Sequence, residues 1–407
     1  MNDTRKPVFQ PYHQTISVPF EYPVCFTRNL FQLDNPLLAD VMNRLGEDRR
    51  HRAAVYIDSG VAAAFPGLID DILNYVESRP GAMSLAAPPR IIPGGEAAKN
   101  GWNQVFNIIG EIGEFHLDRQ SYVIGIGGGA VLDMVGFTAG VIHRGLRLIR
   151  VPTTTLAQND AGIGVKNGIN DRGQKNFIGV FSPPFAVLND YRFLSTLSFE
   201  QWIGGLAEAF KVAIIKDGDF FNYLLDHADG FRNRASGPME RAVHRCAELH
   251  LDHIRTHGDP FEFGSARPLD FGHWSAHKLE SMSGYKIGHG QAVSIGICLD
   301  SFVAMRRGMI SQDELDRILN GFAGCGLTVF HELMERKKAD GRLEILGGIE
   351  DFREHLGGDL TLTLPDGIGR KIEVHDMDPA FVEEGVAYLK AWIRRERALH
   401  LKNFNST

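Results

Sequence analysis

Hydrophobic and polar positions divide the chain into two parts that differ in periodicity. Up to about residue 190, short apolar runs alternate with amphipathic stretches, a pattern typical of strands that alternate with helices. The predicted strands cover 53–57, 89–93, 122–126 and 146–151. Because such alternation favours a mostly parallel sheet covered by helices on both faces, we predict an α/β domain over 15–190, preceded by a loose arm over 1–14.

Beyond residue 190, the apolar positions recur at helical spacing. The predicted helices cover 198–227, 237–257, 271–282, 311–324 and 379–399. Between the last two, the segment 360–365 alternates and predicts a small β-hairpin. The second domain, over 191–407, is therefore expected to be mainly α-helical, and we expect the active site in the cleft between the two domains.

Composition and charge exclude several classes of protein. With 407 residues, the chain is long enough for two cores. Its net charge of −7 argues against nucleic acid or an acidic membrane as the main partner, and no apolar run approaches the roughly 18 residues that span a bilayer. The four cysteines are scattered without a CxxC pair, and the first residues lack an apolar signal segment, so we expect a cytoplasmic protein.

Three histidines that are close in sequence are the first candidates for chemistry. His273 and His277 are four residues apart and share one face of a predicted helix, whereas His289 is expected in a glycine-flanked loop that folds back toward them. Neutral imidazoles with one carboxylate from elsewhere suit a zinc-type ion that keeps a position open to substrate. A single histidine on a helix is more often a core residue, so the prediction of a metal site rests on the three histidines together.

A glycine-rich turn follows the strand predicted over 122–126. Gly128 and Gly129 open a helix, and without Cβ atoms they let a pyrophosphate approach the helix N terminus. The pattern is not GxGxxG, and a tight turn without a ligand is the alternative, but three consecutive glycines favour a dinucleotide. Asp58 is a candidate for binding the adenosine ribose, and a segment that includes Glu96 and Lys99 could form a further wall.

Polar residues beside a second glycine-containing segment suggest a phosphate site. Asp160 and Lys166 bracket that segment, and Lys175 and Asn176 follow shortly after. Two lysines and an asparagine are group types that hold a phosphate dianion in place. Because surface lysines are common, either lysine taken alone could be an ordinary surface residue.

A carboxylate and an ammonium group occur in an otherwise apolar predicted helix. Glu208 and Lys211 are three residues apart and share a face, where burial is unfavourable unless the charges are paired or bind a ligand. One interpretation is a structural salt bridge. The other makes Glu208 the anionic metal ligand that joins His273 and His289, with Lys211 as a substrate contact.

These motifs, in this order, resemble those of the sugar phosphate cyclase superfamily, whose best-known member is 3-dehydroquinate synthase. The similar segments are 127–133, 144–155, 205–211, 272–273, His277 and 289–290, within a match over about 58–369. The resemblance implies a dehydroquinate synthase-like fold, a tightly bound NAD that is recycled, and a Zn²⁺ or Co²⁺ ion held by the residues that match Glu208, His273 and His289. It also implies a homodimer, because the arginine that matches Arg144 reaches in from a neighbouring subunit.

The resemblance also gives roles to the remaining candidates. The residues expected to act on the substrate are Lys211, His277, Asp160 and Lys166. Those expected to bind the phosphate or another substrate group are Arg144, Asn176, Arg267, Asp270 and His250. Lys166 is also expected to contact the phosphate. The residues expected to bind the cofactor are Asp58, Glu96, Lys99, Gly128, Gly129, Asp133, Thr153, Thr154 and Lys175.

Departures from the dehydroquinate synthases bear on the substrate. Asp270 replaces an asparagine, His250 replaces a lysine that helps to hold the substrate carboxylate, and the neighbouring arginine is displaced by one position to Arg267. The loss of positive potential suits a substrate that ends in a hydroxymethyl group better than an α-keto acid. The segment 352–358 resembles that of sedoheptulose 7-phosphate cyclases, and His277, where other branches usually have proline, resembles the 2-epi-valiolone synthase branch.

The expected reaction converts sedoheptulose 7-phosphate to a C7-cyclitol by transient oxidation, β-elimination of phosphate, reduction and intramolecular aldol cyclisation. Three alternatives remain open: 3-dehydroquinate synthase itself, with Arg267 alone holding the carboxylate; a metal-dependent NAD polyol dehydrogenase; and an inactive homologue that serves as a binding protein. The candidate phosphate-binding groups favour a phosphorylated substrate over a simple polyol.

Overall fold

The structure is a computed structural model that describes residues 11–256, 261 and 268–404. Most of the predicted arm over 1–14 lies outside this range, and residues 11–14 are exposed without regular secondary structure. Arg267, predicted to bind the substrate, also lies outside the described residues.

A seven-stranded sheet, in which neighbouring strands run parallel, forms the centre of the first part of the chain. In chain order, the strands of the protein are β1 (Val24–Thr27), β2 (His51–Asp58), β3 (Met83–Leu85), β4 (Arg90–Ile92), β5 (Tyr122–Gly127), β6 (Arg147–Pro152), β7 (Lys166–Asp171), β8 (Gln174–Phe181), β9 (Ala186–Asp190), β10 (Leu362–Pro365) and β11 (Lys371–Val374). The order across the main sheet is β1-β9-β6-β5-β2-β3, with β4 also paired to β2. Strands β7 and β8 form an antiparallel hairpin, as do β10 and β11. The prediction of a mostly parallel sheet is confirmed.

Helices cover both faces of this sheet. In chain order, the helices are α1 (Leu37–Met42), α2 (Ser59–Ala64), α3 (Leu68–Glu77), α4 (Asn103–Glu114), α5 (Gly129–Val141), α6 (Phe199–Lys216), α7 (Gly218–Asp226), α8 (Ala228–Arg232), α9 (Ser236–Thr256), α10 (His273–Met282), α11 (His289–Arg306), α12 (Gln312–Gly324), α13 (Gly347–His355) and α14 (Pro379–Phe404). Ala53, Val55 and Ile57 of β2 share a core with α1 and α3, whereas Ala54 and Tyr56 share another with α4 and α5. Both faces of β2 are therefore buried, which explains why its residues 53–57 form an unbroken apolar run.

The second part of the chain is mainly helical, as predicted. Apolar side chains of α6, α7, α9, α10, α11, α12 and α14 form one large core with the β10–β11 hairpin. The sheet ends with β9 at Asp190 and the first long helix begins at Phe199. A domain boundary near residue 190 stays a prediction.

Two sequence-based expectations in this part are wrong. The stretch 198–227 is not one helix, because Asp217 has an extended backbone that ends α6 and its side chain caps α7 by accepting from the backbone N–H of Phe220. His289 does not lie in a loop but is the first residue of α11. That helix is buried along almost all of its length, so its sequence lacks the apolar and polar faces by which amphipathic helices are recognised.

Among the described residues, no helix is both long enough and apolar enough to span a lipid bilayer.

Candidate active site

The candidate site lies beyond the carboxyl ends of three neighbouring strands, where ligands of open parallel sheets bind. The strands β2, β5 and β6 end at Asp58, Gly127 and Pro152. Shortly after β6, the Thr155 hydroxyl accepts a hydrogen bond (3.0 Å) from the backbone N–H of Gly205 in α6. This contact joins the sheet to the helix that carries Glu208, so the predicted cofactor and metal residues share one cleft.

The glycine-rich turn leaves the N terminus of α5 accessible. Gly128 caps the helix with an extended backbone, and a Cβ added there would reach within 3.4 Å of the Thr154 side chain. Thr153 is buried beside the turn, where its backbone N–H donates to the carbonyl of Gly127 (3.0 Å). A helix N terminus that is kept clear of side chains fits the pyrophosphate of a dinucleotide.

Other predicted cofactor residues already have partners within the chain. Asp58 caps α2 by accepting from the backbone N–H of Gly60 (2.7 Å). Lys99 and Asp133 form an ion pair with each other (2.7 Å), in which Lys99 is buried. These contacts show local structural roles, and the binding of a cofactor by these residues stays a prediction.

Lys175 connects Glu96, on the predicted cofactor side of the cleft, with Glu280, which lies beside His289. Its ammonium group lies 2.8 Å from Glu280 and 3.7 Å from Glu96. Glu96 also accepts from the Asn170 side chain (2.8 Å), and Asn170 in turn accepts from the backbone N–H of Asn176 (2.9 Å). Burial opposes the charge on Lys175, but the carboxylates of Glu280 and Glu96 outweigh it and raise the pKa of the ammonium group.

Glu208, His273 and His289 come together as the sequence analysis predicted. One carboxylate oxygen of Glu208, Oε1, lies 3.8 Å from His273 Nε2 and 3.8 Å from His289 Nε2. Glu208 is fully buried, and within the described part of the chain neither of its oxygens accepts a hydrogen bond of ordinary geometry. The Lys211 ammonium pairs with Oε2, whereas Oε1 is the oxygen that faces the two imidazoles, and one carboxylate oxygen with two imidazole nitrogens is a donor set that fits a zinc-type ion.

Hydrogen bonds to the far side of each imidazole orient the two histidines. His273 Nδ1 lies 3.1 Å from the carbonyl of Phe271, and His289 Nδ1 lies 3.4 Å from Glu280 Oε2. If each Nδ1 carries the proton, Nε2 presents its lone pair toward Glu208 and a metal ion, the arrangement that supporting residues give to metal-binding histidines.

Asp300 fixes the start of α10, which begins at His273. Its buried carboxylate accepts from the backbone N–H of Gly272 (3.0 Å) and from the indole N–H of Trp274 (2.7 Å). Gly272 has φ +80°, and a Cβ there would lie 2.7 Å from the backbone nitrogen of Ile297, so glycine is required. Burial raises the pKa of Asp300 to about 7.

A close helix crossing places His289 beside Glu208. A Cβ on Gly290 would lie 2.4 Å from the carbonyl oxygen of Gly204. Only a glycine therefore lets the start of α11 approach α6 so closely, and this close approach brings His289 within reach of Glu208.

The electrostatic environment favours a neutral His273 and an ionised Glu280. Burial, with the positive charge of Lys211 and the neighbouring histidines, holds the pKa of His273 well below its ordinary value. Burial opposes ionisation of Glu280, but His289 and Lys175 outweigh it and lower the pKa of that carboxyl to about 2. A neutral imidazole is the form that binds a metal ion.

The predicted substrate residues Asp160, His250 and Lys211 lie on the other side of Glu208. His250 Nε2 is 3.2 Å from Asp160 Oδ1 and 4.0 Å from Glu208 Oε2, and the Lys211 ammonium forms an ion pair with the same Oε2. Burial opposes the charge on Lys211, but Glu208, Asp160 and Asp270 raise the pKa of its ammonium group. Asp270 therefore contributes negative potential at this end of the cleft.

Arg150 holds the segment between Asp160 and Lys166. Its fully buried guanidinium donates to the carbonyls of Gly162 (3.0 Å), Gly164 (2.7 Å) and Lys166 (3.0 Å). The buried Arg150 guanidinium thus holds the backbone of this segment in place by hydrogen bonds to its carbonyl oxygens.

The predicted phosphate residues are exposed, unlike Glu208 and His273. Lys166 begins β7, Asn176 lies on β8, and Arg144 ends the short turn 142–144; all three are exposed. Arg144 (φ +65°) and Asn176 (φ +52°) have left-handed backbones, a conformation that is unfavourable for residues other than glycine and that occurs at functional sites. His277 is also exposed, with its ring centroid 5.4 Å from that of His273.

Sequence reasoning missed three residues that support the site: Glu280, Asp300 and Arg150. Glu280 falls on the same face of α10 as His273 and His277, so its helical spacing could have drawn attention to it. Asp300 and Arg150 are single charges inside apolar runs, and such charges are rarely buried without a specific partner.

Comparison with known proteins agrees with this architecture. Residues 90–204 match the family model of the 3-dehydroquinate synthase N-terminal domain, and residues 205–344 match that of its C-terminal domain. The 3-dehydroquinate synthase of a Nitratiruptor species is 36% identical over 65% of this chain and 70% of its own length. The 2-epi-valiolone synthase of Actinosynnema mirum is 31% identical over 79% of this chain and 85% of its own length.

A solved structure shows the same fold at similar size. The 2-epi-5-epi-valiolone synthase ValA from Streptomyces hygroscopicus subsp. jinggangensis 5008, solved with NAD⁺ and Zn²⁺ bound, superimposes with a TM-score of 0.81 at 28% identity. The similarity covers 93% of this chain and 99% of that one. On the fold and the two family models together, the chain belongs to the 3-dehydroquinate synthase family of sugar phosphate cyclases.

Proposed function

We propose that the protein is an NAD- and metal-dependent cyclase that converts sedoheptulose 7-phosphate to a C7-cyclitol of the 2-epi-valiolone type and releases phosphate. The observation that carries the proposal is the buried Glu208 carboxylate, which faces the Nε2 atoms of His273 and His289 at 3.8 Å. An accessible helix N terminus behind a glycine-rich turn in the same cleft supports a dinucleotide.

The site residues fit both groups. We assign Zn²⁺ or Co²⁺ to Glu208, His273 and His289, because two imidazoles and a carboxylate suit either ion, and NAD to the side of the cleft that includes Asp58 and Gly128. The relative ValA binds NAD⁺ and Zn²⁺. When bound, the metal would polarise a substrate oxygen and NAD would accept and return a hydride.

The chain's own residues would orient the substrate and neutralise its charge. Lys166 and Asn176, with Arg144 from a second copy of the chain, would hold the phosphate as it leaves, and the departing phosphate could itself take the proton removed during β-elimination. Lys211 Nζ and the Asp160 carboxylate would orient the reacting hydroxyls. The exposed ring of His277 would relay a proton between the cleft and solvent.

The substrate assignment rests on the end of the cleft near His250. Where the resemblance to dehydroquinate synthases implies a lysine that holds a carboxylate, the chain has an imidazole 3.2 Å from Asp160, and Asp270 adds negative potential nearby. A neutral hydroxymethyl group is therefore more compatible with this end than a carboxylate. The naming of a similar relative as a 2-epi-valiolone synthase supports this choice.

The experiment that tests the substrate compares two sugar phosphates. Purified protein loaded with Zn²⁺ or Co²⁺ and NAD is given either sedoheptulose 7-phosphate or the seven-carbon keto acid phosphate used by dehydroquinate synthases, and released phosphate is measured. We expect release only from sedoheptulose 7-phosphate. Turnover of the keto acid phosphate alone would overturn the assignment and favour 3-dehydroquinate synthase, the activity by which the relative at 36% identity is named.

The assignment of Arg144 to a second subunit has its own test. We expect Arg144→Ala and His273→Ala each to be inactive, because each removes one group from every site. If the protein is a dimer, co-expression of the two variants should restore partial activity. A mixed dimer then contains one site with both groups intact. Lack of restoration in verified mixed dimers would place Arg144 outside the neighbouring site.

A further inference from the structure

We propose that the chain holds a second divalent-cation site, formed by Asp160, Glu208 and His250, which shares Glu208 with the catalytic metal site. One ligand atom from each of these residues lies within 4.8 Å of the other two. The occupant is a borderline ion such as Zn²⁺ or Co²⁺, because an imidazole with two carboxylates suits these ions better than Mg²⁺.

The two oxygens of Glu208 face different groups. Oε1 lies 3.8 Å from the Nε2 atoms of both His273 and His289, whereas Oε2 lies 4.0 Å from His250 Nε2. His250 Nε2 is in turn 3.2 Å from Asp160 Oδ1. A carboxylate with one oxygen toward each of two ligand sets is the arrangement that bridges the ions of two-metal sites, about 3.5–4 Å apart.

The imidazole of His250 is aimed into this second group. Its Nδ1 lies 3.0 Å from the backbone carbonyl of Cys246, so a proton on Nδ1 leaves the lone pair of Nε2 directed at two carboxylates. His250 is 2% exposed, and within the described ranges its Nε2 has no hydrogen-bond partner of ordinary geometry. The Nε2 lone pair and the carboxylate oxygens converge at a buried position, where they repel one another. A cation bound between them stabilises this arrangement.

Lys211 determines how tightly this second ion binds. Its ammonium forms an ion pair with Glu208 Oε2, the oxygen that the second ion needs. The ion must displace that ammonium, so the second site is weaker than the first and fills only at excess metal. Asp160, whose side chain is 29% exposed, offers the route from the cleft.

Occupation of the second site has a functional consequence that rests on the proposed function. Asp160 and Lys211 are then unavailable to the substrate hydroxyls, so excess Zn²⁺ would inhibit the enzyme in competition with substrate. Binding of the second ion itself depends on no substrate assignment.

Metal stoichiometry measured by equilibrium dialysis tests the proposal. The chelator-treated protein is dialysed against increasing Zn²⁺, and bound metal per chain is measured by mass spectrometry. We expect two ions per chain in the wild type and one in His250→Gln and in Asp160→Asn, with thermal melting as a check on folding. The control is His244→Gln, on the same helix but packed against Phe26, which should still bind two.

Clear outcomes overturn the proposal. A wild-type plateau at one ion per chain, or a second ion retained by a folded His250→Gln variant, would show that these residues form no cation site. If the stoichiometry is as expected but no sugar phosphate is turned over, the proposed function fails while the second site stands.

Discussion

The two sides of the cleft differ in how their functional groups are held. On the metal side, Glu208 and His273 are buried, and Glu280, Phe271 and Asp300 fix the histidines or the helix that carries them. On the phosphate side, Lys166, Asn176 and Arg144 are exposed. Under the proposed function, the groups that would bind the metal are therefore held in place in advance, whereas those proposed to bind phosphate would come together only with substrate and a second copy of the chain.

The backbone contributes to the same contrast. The metal side uses glycines at close approaches, whereas the phosphate side keeps His143 (φ +53°) and Arg144 in left-handed conformations. Such conformations cost roughly 1–2 kcal/mol per residue other than glycine. Backbone strain of this kind persists mainly at functional sites. The strained turn therefore supports a binding role for the exposed Arg144.

The largest expected effect comes from removing a metal ligand. At limiting metal, His273→Ala should abolish the tightly bound ion and reduce activity to background, because two donors cannot hold that ion in the required geometry. Metal content by mass spectrometry and phosphate release check the prediction. A variant that keeps one tightly bound ion per chain would refute the ligand assignment.

Removing the support of a ligand should have a smaller effect. Glu280→Gln keeps the shape of the side chain but removes the charge beside His289 and Lys175, and residues in such supporting positions affect metal affinity or activity by about 10–100-fold. Competition with a chromophoric chelator measures the affinity. Unchanged affinity would mean that the orientation of His289 does not depend on this carboxylate.

On the exposed side, substitution should weaken substrate binding and leave the metal in place. Lys166→Ala should lower kcat/KM for the sugar phosphate by about 10–100-fold, since a hydrogen bond to a charged group contributes about 1.5–3 kcal/mol. The control is Lys337→Ala, another exposed lysine, for which we expect unchanged kinetics. Loss of metal in Lys166→Ala would remove the contrast between the two sides.

The smallest effect on activity, and the clearest on stability, concerns Asp300. In Asp300→Asn, the amide can accept only one of the two N–H groups well, so the free energy of unfolding at pH 5 should fall by about 1–3 kcal/mol. Ser301→Ala, a neighbouring buried residue whose hydroxyl has no hydrogen-bond partner among the described residues, should change stability less. Urea unfolding of both variants measures the difference.

Asp300 should also make the free energy of unfolding depend on pH, with a sign that follows from its raised pKa. Its folded pKa of about 7 lies above the value of about 3.9 for an unfolded aspartate, so the stabilising contribution of the bound proton is complete below about pH 4 and is lost as the pH rises to about 7. Between pH 5 and 8, the wild type should therefore lose on the order of 2 kcal/mol relative to Asp300→Asn. A difference that does not change with pH would contradict a buried, titrating Asp300.

The fold and the convergence of Glu208, His273 and His289 followed from local patterns, because apolar runs and helical spacing act over short distances. His273 and Glu208 were recognisable because charged or imidazole groups stood out in helical segments. The start of α11 at His289 was not, since a helix buried on all sides has no polar face. The roles of Glu280, Asp300 and Arg150 depend on contacts between residues distant in sequence, for example the 26 positions between Trp274 and Asp300, which one sequence does not reveal.

The most direct test of the central claim is to follow phosphate release and absorbance at 340 nm together, with the metal-loaded enzyme, NAD and sedoheptulose 7-phosphate. A cyclase that oxidises its substrate only transiently should release phosphate continuously with no net accumulation of NADH. NADH formation in proportion to substrate consumed, without phosphate release, would contradict the account and identify a dehydrogenase.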